Sequence, residues 1–306
     1  MEQVDSTADT QPVARALRRL RRRRGGGCLL LAAAALITPA LLCGLSLVIY
    51  LVLPPAHTDI LVIGVDSRAG EGWQTRADSI MLVGVDPAHL RVGLLSVPRD
   101  LSLDTPGYGW QRINVVHALG EAEAPGGGPR LLADAIADGF GVVPDRYVRL
   151  NFDGFVQLID AVGGVTIDVE RRIEDFNYPA DDNGVQTVVF ESGVQHMDGA
   201  RALMYARTRY ADDDYRRAER QQQVISALLG KLVNPARWLP ALAALGQAVE
   251  TDLTPWDIAA LAPTVLINRG QFDQLVIDRD YITANAEGAA VPNYARLEPY
   301  LRDHFR

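Results

Sequence analysis

The sequence predicts a layered α/β/α sandwich with a mixed central sheet, preceded by one N-terminal transmembrane helix. After residue 58, short buried-strand patterns alternate with amphipathic helical segments, which is typical of layered α/β folds. A long uncharged apolar stretch comes before them. At 306 residues, with 48% apolar and 22% charged composition, the chain has room for a membrane segment and one globular domain of roughly 250 residues.

The first part of the chain has the pattern of a membrane anchor. Cys28–Leu53 holds 26 residues without a charge, more than the roughly 20 that cross a bilayer. Seven arginines lie between residues 15 and 24, and the positive-inside rule places them in the cytoplasm. We therefore predict a basic cytoplasmic tail (1–27), a transmembrane helix (28–53), a linker (54–58) and an extracytoplasmic globular domain (59–306), in a single-pass protein of the cell membrane.

Two other interpretations of this stretch are weaker. A cleaved signal peptide has an apolar core of roughly 7 to 15 residues and a small-x-small cleavage site, which does not follow Leu53. Lipoprotein attachment at Cys43 would need a small residue before it, where the chain has Leu42. A retained anchor is therefore the preferred interpretation.

Charge and cysteine content exclude several functional classes. Residues 1–27 carry seven arginines and three acidic residues, a net charge of +4. Because the whole chain has a net charge of −8, the rest of the chain carries −12. An acidic exterior argues against nucleic acid as a partner. Both cysteines lie in the apolar stretch, so a disulfide framework or a thiolate metal site is not expected.

Three buried strands open the globular domain, at Asp59–Val65, Ser79–Val85 and Arg91–Val97. Their connections are too short for crossover helices, so the three strands should be antiparallel neighbours. The end of the first, the start of the second and the end of the third then share one edge of the sheet. This placement should bring together six charged residues, Asp66, Arg68, Arg76, Asp78, Arg99 and Asp100.

Further elements alternate along the rest of the chain. The patterns predict helices at Leu131–Phe140, from Asp153 as cap to Val162, at Gly199–Tyr205, Tyr215–Leu232, Pro235–Val249, Pro255–Ile267 and Tyr294–His304, and strands at Tyr147–Phe152, Val165–Val169, Val185–Phe190 and Phe272–Asp278. The Gly126–Gly128 run is expected to be a flexible loop, because no strand leads into it.

The helix from Tyr215 to Leu232 carries polar residues on its apolar face. Arg217, Gln221, Val224 and Leu228 share one stripe, and Arg220 lies beside it. Because the apolar half must face the core, Arg217 and Gln221 should point inward at the N-terminal end.

Two carboxylates surrounded by arginines suit a Mg²⁺-bound diphosphate, since the metal takes hard oxygen ligands and guanidinium groups donate to phosphate oxygens. The competing interpretation is a surface ion-pair network of little energetic consequence.

Six motifs occur in an order and spacing that resemble the LytR-CpsA-Psr family of cell-wall phosphotransferases. They are Gly64–Arg68, Arg76–Ser79, Ser96–Asp100, Arg112–Asn114, Asp160–Val165, and Tyr205–Arg209 with Asp214–Gln221. The resemblance is clearest over residues 58–232, and a basic tail with one membrane helix is also the family's layout. The family commonly has Lys-Ile-Asn where this chain has Arg112-Ile113-Asn114.

The resemblance implies transfer of a phosphoglycan, such as teichoic acid or a capsule polymer, from a polyprenyl-diphosphate carrier to a peptidoglycan hydroxyl. Membrane lipid is a further expected partner, because the carrier is embedded in the membrane. It also implies an apolar tunnel for the polyprenyl tail. Residue by residue, it implies Mg²⁺ (or Mn²⁺) ligands Asp66 and Asp78, catalytic diphosphate-clamping residues Arg99, Arg207, Arg209, Arg217 and Gln221, and further diphosphate-binding residues Arg68, Arg76, Arg112 and Arg220. Asp100 and Asp214 are candidate bases.

Two alternative functions stay open on the sequence. One is a polyprenyl-diphosphate phosphatase, in which water replaces the glycan acceptor. The other is a non-catalytic membrane protein that binds the lipid-linked precursor or regulates its use, although a mere binder needs no pair of metal carboxylates.

Overall fold

A computed structural model of the protein describes residues 37–38, 41–42, 44–67, 71–179, 184–208, 214–232, 234–244, 249–268 and 271–306. The chain divides into two compact units, Met1–Pro54 and Pro55–Arg306.

In the N-terminal unit, residues 44–52 are helical. Over the described residues, none of the helices combines the length and the apolar character needed to cross a bilayer. Part of the predicted transmembrane segment 28–53 lies outside the described residues, so that helix stays a prediction.

The second unit begins with the three predicted strands. The elements of its first half are β1 (Thr58–Val65), β2 (Ala77–Asp86), β3 (Arg91–Val97), β4 (Ser102–Thr105), β5 (Gly109–Arg112), α1 (Ile113–Glu123), α2 (Gly127–Phe140), β6 (Arg146–Leu150), α3 (Phe152–Ala161) and β7 (Val165–Val169). The antiparallel pairing of β1 with β2 and of β2 with β3 is confirmed.

The second half of the unit completes the fold. Its elements are β8 (Ile173–Pro179), β9 (Val185–Phe190), β10 (Gly193–Met197), α4 (Gly199–Arg207), α5 (Asp214–Leu232), α6 (Trp238–Ala244), β11 (Val249–Thr251), α7 (Pro255–Asn268), β12 (Asp273–Val276), β13 (Ile282–Ala284), β14 (Ala290–Pro292) and α8 (Tyr294–His304).

A six-stranded mixed sheet forms the centre, in the order β11-β6-β1-β2-β3-β12. Strand β6 lies parallel to β1 and β12 parallel to β3, whereas the other neighbours are antiparallel. The mixed central sheet predicted from the sequence is therefore confirmed.

Side chains alternate between the two faces of this sheet, as the two-residue period of a strand requires. On β2, Ile80 and Leu82 belong to a front core with α1, α2 and α8, whereas Met81 and Val83 belong to a rear core with α5 and α7. Helices thus cover both faces, which gives the predicted layered arrangement.

A separate hairpin core lies beside the sheet. The buried residues of β7 to β10 pack there with α3, α4 and α5. Val224 and Leu228 of α5 belong to this hairpin core, whereas Ile225 and Leu229 of the same helix pack on the rear core. Helix α5 therefore joins the two.

Four predictions about local structure were wrong in whole or in part. Gly127 and Gly128 begin α2 instead of forming a loop, because Gly127 packs so closely on Gly120 that an added Cβ would meet the Gly120 carbonyl oxygen at 2.3 Å. The predicted strand Tyr147–Phe152 ends at Leu150. The cap of α3 is Asn151, whose side chain accepts a hydrogen bond from the Gly154 N–H.

The segment predicted as one helix from Pro235 to Val249 is divided. A short 3₁₀ turn, Pro235–Arg237, precedes α6, and Val249 begins β11 at the edge of the central sheet. Val249 pairs with Leu150 of β6, and this pairing satisfies its backbone hydrogen bonds. Because Leu150 is distant in sequence, the local pattern around Val249 does not predict the strand.

Candidate active site

A cavity of about 370 Å³ opens where the carboxyl end of β1 meets α3, β8, α4 and α5. Its volume lies within the range of roughly 300–1,000 Å³ that small-molecule sites occupy. Its lining combines charged residues with apolar side chains that include Val62, Met81, Phe155, Leu203 and Ile225. A molecule with an ionic head and an apolar tail is the ligand that such a cavity suits.

Asp66 and Asp78 both line this cavity. Asp66 directly follows β1, and its backbone N–H donates to the Arg76 carbonyl at 3.4 Å. Asp78 occupies the extra position of a β-bulge, because Gly64 pairs with Ser79 and Val65 pairs with Ala77. Bulges redirect a side chain out of the regular alternation. The predicted meeting of the two carboxylates at one sheet edge is therefore observed.

A chain of ion pairs leads outward from Asp78. The Arg99 guanidinium donates to Asp78 Oδ1 at 3.3 Å and lies 3.6 Å from Asp100 Oδ2, and Arg112 reaches Asp100 Oδ1 at 3.5 Å. Arg112 is largely exposed, with 68% of its side chain accessible. Asp100, Arg99 and Arg112 thus connect to the site through its rim and are not among the residues that line the cavity.

Helices α4 and α5 supply the other charged groups of the cavity. Arg207, the last residue of α4, lies 4.0 Å from the Phe152 ring centre, and this cation–π contact orients its guanidinium group. Arg217 is buried, and Gln221 lies one turn further along α5 and donates to the Ala206 carbonyl at 3.5 Å. The inward direction predicted for Arg217 and Gln221 is confirmed by their place in the lining.

Other predicted site residues lie elsewhere or outside the described part. Arg76 is exposed. Arg220 is buried, donates to the Thr208 carbonyl and lines a separate, smaller cleft. Arg68 and Arg209 fall outside the described residues, as does the side chain of Asp214.

Sequence reasoning missed a third acidic residue in the cavity. Asp175 of β8 is 2% exposed and accepts a hydrogen bond from the Asn177 N–H at 3.0 Å. The pairing of β8 with β9 is irregular between Asp175 and Tyr178. The available signal was an acidic residue two positions after Ile173, which places it on the buried face of a strand.

The residues present fit a metal that is shared with a substrate. Among the described residues, no cluster of three or more His, Cys, Asp or Glu side chains could hold a metal ion. Magnesium, however, is commonly bound by one or two carboxylates together with substrate phosphates and water. Asp66 and Asp78 supply that number of carboxylates in one cavity.

Comparison with known proteins extends these observations. The chain is 34% identical over 200 residues to polyisoprenyl-teichoic acid–peptidoglycan teichoic acid transferase TagU of Oceanobacillus iheyensis, covering 64% of this chain and 58% of the relative. It is 36% identical over 178 residues to regulatory protein MsrR of Staphylococcus aureus, covering 57% of this chain and 49% of the relative. The chain thus spans about half the length of the curated relatives it matches.

A solved structure shows the same fold. The crystal structure of B. subtilis TagV superposes with a TM-score of 0.65 at 26% identity, over 81% of this chain and 96% of that one. The model of the LytR_cpsA_psr family matches residues 55–298, which include both carboxylates, both helices of the cavity and most of the chain. The chain therefore belongs to the LytR-CpsA-Psr family.

Proposed function

We propose that this chain is a phosphotransferase that moves a phosphoglycan from a polyprenyl-diphosphate carrier to a peptidoglycan hydroxyl. The observation that carries the proposal is the meeting of Asp66, Asp78, Arg207, Arg217 and Gln221 in one cavity that is also lined by apolar side chains. Relatives support it, since TagU of Oceanobacillus iheyensis and TagV of Bacillus subtilis are named polyisoprenyl-teichoic acid–peptidoglycan teichoic acid transferases.

The charged and the apolar side chains of the cavity match the two chemically different parts of such a donor. Guanidinium groups form charge-assisted hydrogen bonds with phosphate oxygens, so Arg207 and Arg217 would hold the diphosphate. Burial of Arg217 strengthens this interaction, because charges attract more strongly away from bulk water. Val62, Met81 and Ile225 offer an apolar surface to the first part of the polyprenyl tail.

Asp66 and Asp78 would hold Mg²⁺ or Mn²⁺ as two carboxylate ligands. When bound, such an ion neutralises charge on diphosphate oxygens and polarises the phosphorus toward attack. Arg99 would keep the Asp78 carboxylate in place, because its guanidinium donates to one oxygen of that group.

The reaction exchanges one bond to phosphorus for another. The acceptor hydroxyl oxygen forms a bond to the phosphorus next to the sugar, the bond from that phosphorus to the bridging oxygen breaks, and polyprenyl phosphate leaves. Phosphoryl transfer spreads negative charge over the phosphate oxygens, which Arg207 and Arg217 would stabilise. Asp100 and Asp214 are the candidates that accept the hydroxyl proton.

We also propose that the protein is anchored in the cell membrane with residues 55–306 outside. The seven arginines and the uncharged stretch after them support this orientation. Residues 44–52 are helical, and their apolar side chains are exposed, including Leu51, Val52 and Leu53 just beyond. Nucleic acid is not a proposed partner, because the outer part carries a net negative charge.

Reconstitution of the full chain with a polyprenyl-diphosphate-linked glycan tests the proposal. Glycan attached to peptidoglycan is measured with and without Mg²⁺, and we expect attachment in the wild type and its loss in Asp66→Asn. The control is Asp134→Asn, which alters an exposed carboxylate on α2. Release of free phosphoglycan without any attachment would instead favour a phosphatase, and binding without turnover would favour a regulatory precursor-binding protein.

A further inference from the structure

A buried cation lies beneath the loop that connects β1 with β2. Arg149 of β6 is 1% exposed and pairs with Ile63 of β1 in the parallel ladder. Its guanidinium forms ion pairs with Glu121 of α1 and, at 2.7 Å, with Glu250 of β11. A buried charge is costly unless it is paired and hydrogen-bonded, and these two carboxylates satisfy that requirement.

Arg149 also contacts the loop directly. Its guanidinium lies 4.4 Å from the centre of the Trp73 ring, and Trp73 packs against the front core. A cation–π contact of this kind is stronger when the cation is removed from water. The loop is thus attached to the sheet at Trp73, which lies about midway along the chain between Asp66 and Asp78.

A second connection passes through His117. The His117 ring is fully buried, its Nδ1 lies 2.9 Å from the Thr75 carbonyl oxygen, and its Nε2 lies 3.4 Å from an Arg149 nitrogen. A carbonyl only accepts and a guanidinium only donates. The ring therefore carries its proton on Nδ1 and uses Nε2 as an acceptor, which satisfies both contacts with a neutral imidazole.

The electrostatic environment agrees with this assignment. Burial lowers the pKa of His117, and although the Thr75 hydrogen bond opposes the shift, the charge of Arg149 adds to the lowering. Burial alone would raise the pKa of Glu121, but hydrogen bonds from Arg149 and from the N–H groups of Gly126 and Gly128 lower it. The set thus consists of the Arg149 cation, its two carboxylate partners Glu121 and Glu250, and the neutral ring of His117.

Thr75 links His117 to Asp66, the first of the two carboxylate residues. Its hydroxyl donates to the Asp66 carbonyl at 3.1 Å, and the Asp66 N–H donates to the carbonyl of the next residue, Arg76. Thr75, one of the two residues bonded to the backbone of Asp66, is therefore itself bonded to His117. Asp78 follows two residues later, at the bulge of β2.

We propose that Trp73, His117 and Arg149 are positioning residues that set the place of Asp66 relative to Asp78 for a divalent cation and a diphosphate. This inference rests on the proposed function, because it assumes that the two carboxylates hold a metal. None of the three residues is among those that line the cavity, so they act through the loop. Outer residues of this kind commonly change metal affinity by about 10- to 100-fold.

Two variants separate this role from a contribution to stability alone. Trp73→Leu removes the cation–π contact at a partly exposed position and leaves the ion pairs of Arg149 intact. His117→Gln places its amide group near the position of Nε2, where the amide oxygen can accept from Arg149, and loses the donor to Thr75. His117→Asn places a donor near Nδ1 and retains the Thr75 contact. Trp256→Leu is the matched control, since Trp256 is 79% exposed at the start of α7.

The full chain is titrated with Mn²⁺ in the presence of farnesyl diphosphate and followed by calorimetry, with a protein-free titration as blank. We expect Trp73→Leu and His117→Gln to weaken Mn²⁺ binding by about 10-fold, with His117→Asn and Trp256→Leu close to the wild type. Amide hydrogen exchange over residues 71–76 should be faster in the first two variants. Transfer should recover at high Mg²⁺, which a purely structural defect would not show.

Wild-type affinity in both Trp73→Leu and His117→Gln, with unchanged exchange over 71–76, would overturn the positioning role while leaving the proposed function intact. An equal loss in His117→Asn and His117→Gln would also contradict it, because the Thr75 contact would then be irrelevant. Absence of Mn²⁺ binding in the wild type would refute the metal assignment in the proposed function and this inference with it.

Discussion

At the scale of single residues, neighbours with similar chemistry have different roles in this protein. Asn151 caps α3 although Asp153, two residues later, is an equally suitable residue type. Arg217 lines the cavity, whereas Arg220, on the next turn of the same helix, donates to the Thr208 carbonyl in a separate cleft. Residue type alone indicates which side chains could cap a helix or line the cavity. The position of each residue along its helix decides which of them does so.

Replacing Arg217 by alanine should reduce the rate of glycan transfer by about 100- to 1,000-fold, because a donor aimed at developing charge is lost. Arg217→Lys should recover only part of the rate, since an ammonium group lacks the forked donor geometry. The rate is measured with lipid-linked donor at saturating acceptor. Arg302→Ala is the control, as that side chain is 67% exposed on α8; a wild-type rate in Arg217→Ala would contradict the assignment.

Substitution of Asn151 by alanine should lower the free energy of unfolding by about 1 kcal/mol, because the Gly154 N–H loses its acceptor. Asp153→Ala should have the smaller effect, since Asp153 lies in the first turn and interacts favourably with the helix dipole. Urea denaturation of both variants measures the difference. The reverse order would show that Asp153 provides the cap.

At the scale of elements, the first three strands of the site and their pairing were predictable, whereas more distant contacts were not. The short connections of β1, β2 and β3 require antiparallel neighbours, and this geometry brings Asp66 and Asp78 to one edge. Asp175 was missed because its place depends on the pairing of β8 with β9, which is irregular between Asp175 and Tyr178. The helical start at Gly127 was missed because it depends on contact with Gly120, which lies on another helix.

The close approach of α1 and α2 should make Gly120 intolerant of a side chain. A Cβ there would lie 2.4 Å from the Gly127 carbonyl oxygen, so Gly120→Ala should lower the free energy of unfolding by about 1–3 kcal/mol through steric conflict. Ala122→Ser, at an exposed position of the same helix, should change it little. Equal stability of the two variants in urea would show that the helices can separate at low cost.

The buried position of His117 also predicts that the stability of the domain depends on pH. Its pKa in the folded state lies below the ordinary value of 6.5, so the unfolded state binds more protons as the pH falls below 6.5, and stability decreases there. Arg149 from β6, Glu121 from α1 and Glu250 from β11 face the ring.

The free energy of unfolding of the wild type should therefore fall between about pH 7.5 and about pH 5.5, and that of His117→Asn should fall less. Urea denaturation at the two pH values measures both changes. An equal decrease in the two proteins would assign the pH dependence to other groups.

At the scale of the whole molecule, the C-terminal residues complete the domain. Strand β12 extends the central sheet beside β3, and Leu297 and Leu301 of α8 belong to the front core. The Arg306 N–H donates to the Asp59 carboxylate of β1 at 2.9 Å. These contacts join segments that are far apart in the sequence of the domain. Local periodicity therefore predicts the helix α8 but does not predict which surface of the domain it covers.

Replacing Leu297 by alanine should therefore destabilise the whole domain by about 2–5 kcal/mol, since the side chain is fully buried and leaves a cavity. Arg302→Ala on the same helix should stay within about 0.5 kcal/mol of the wild type. Both values come from urea denaturation monitored by tryptophan fluorescence. A small effect of Leu297→Ala would mean that α8 can detach without loss of the sheet.

The shared position of α5 has a mechanical consequence. Successive residues of this helix are committed to different cores, Val224 and Leu228 on one side and Ile225 and Leu229 on the other. Any turn about the helix axis would expose apolar surface in two places at once, so rotation is opposed from both directions. Arg217 and Gln221 therefore keep a constant orientation toward the cavity that they line.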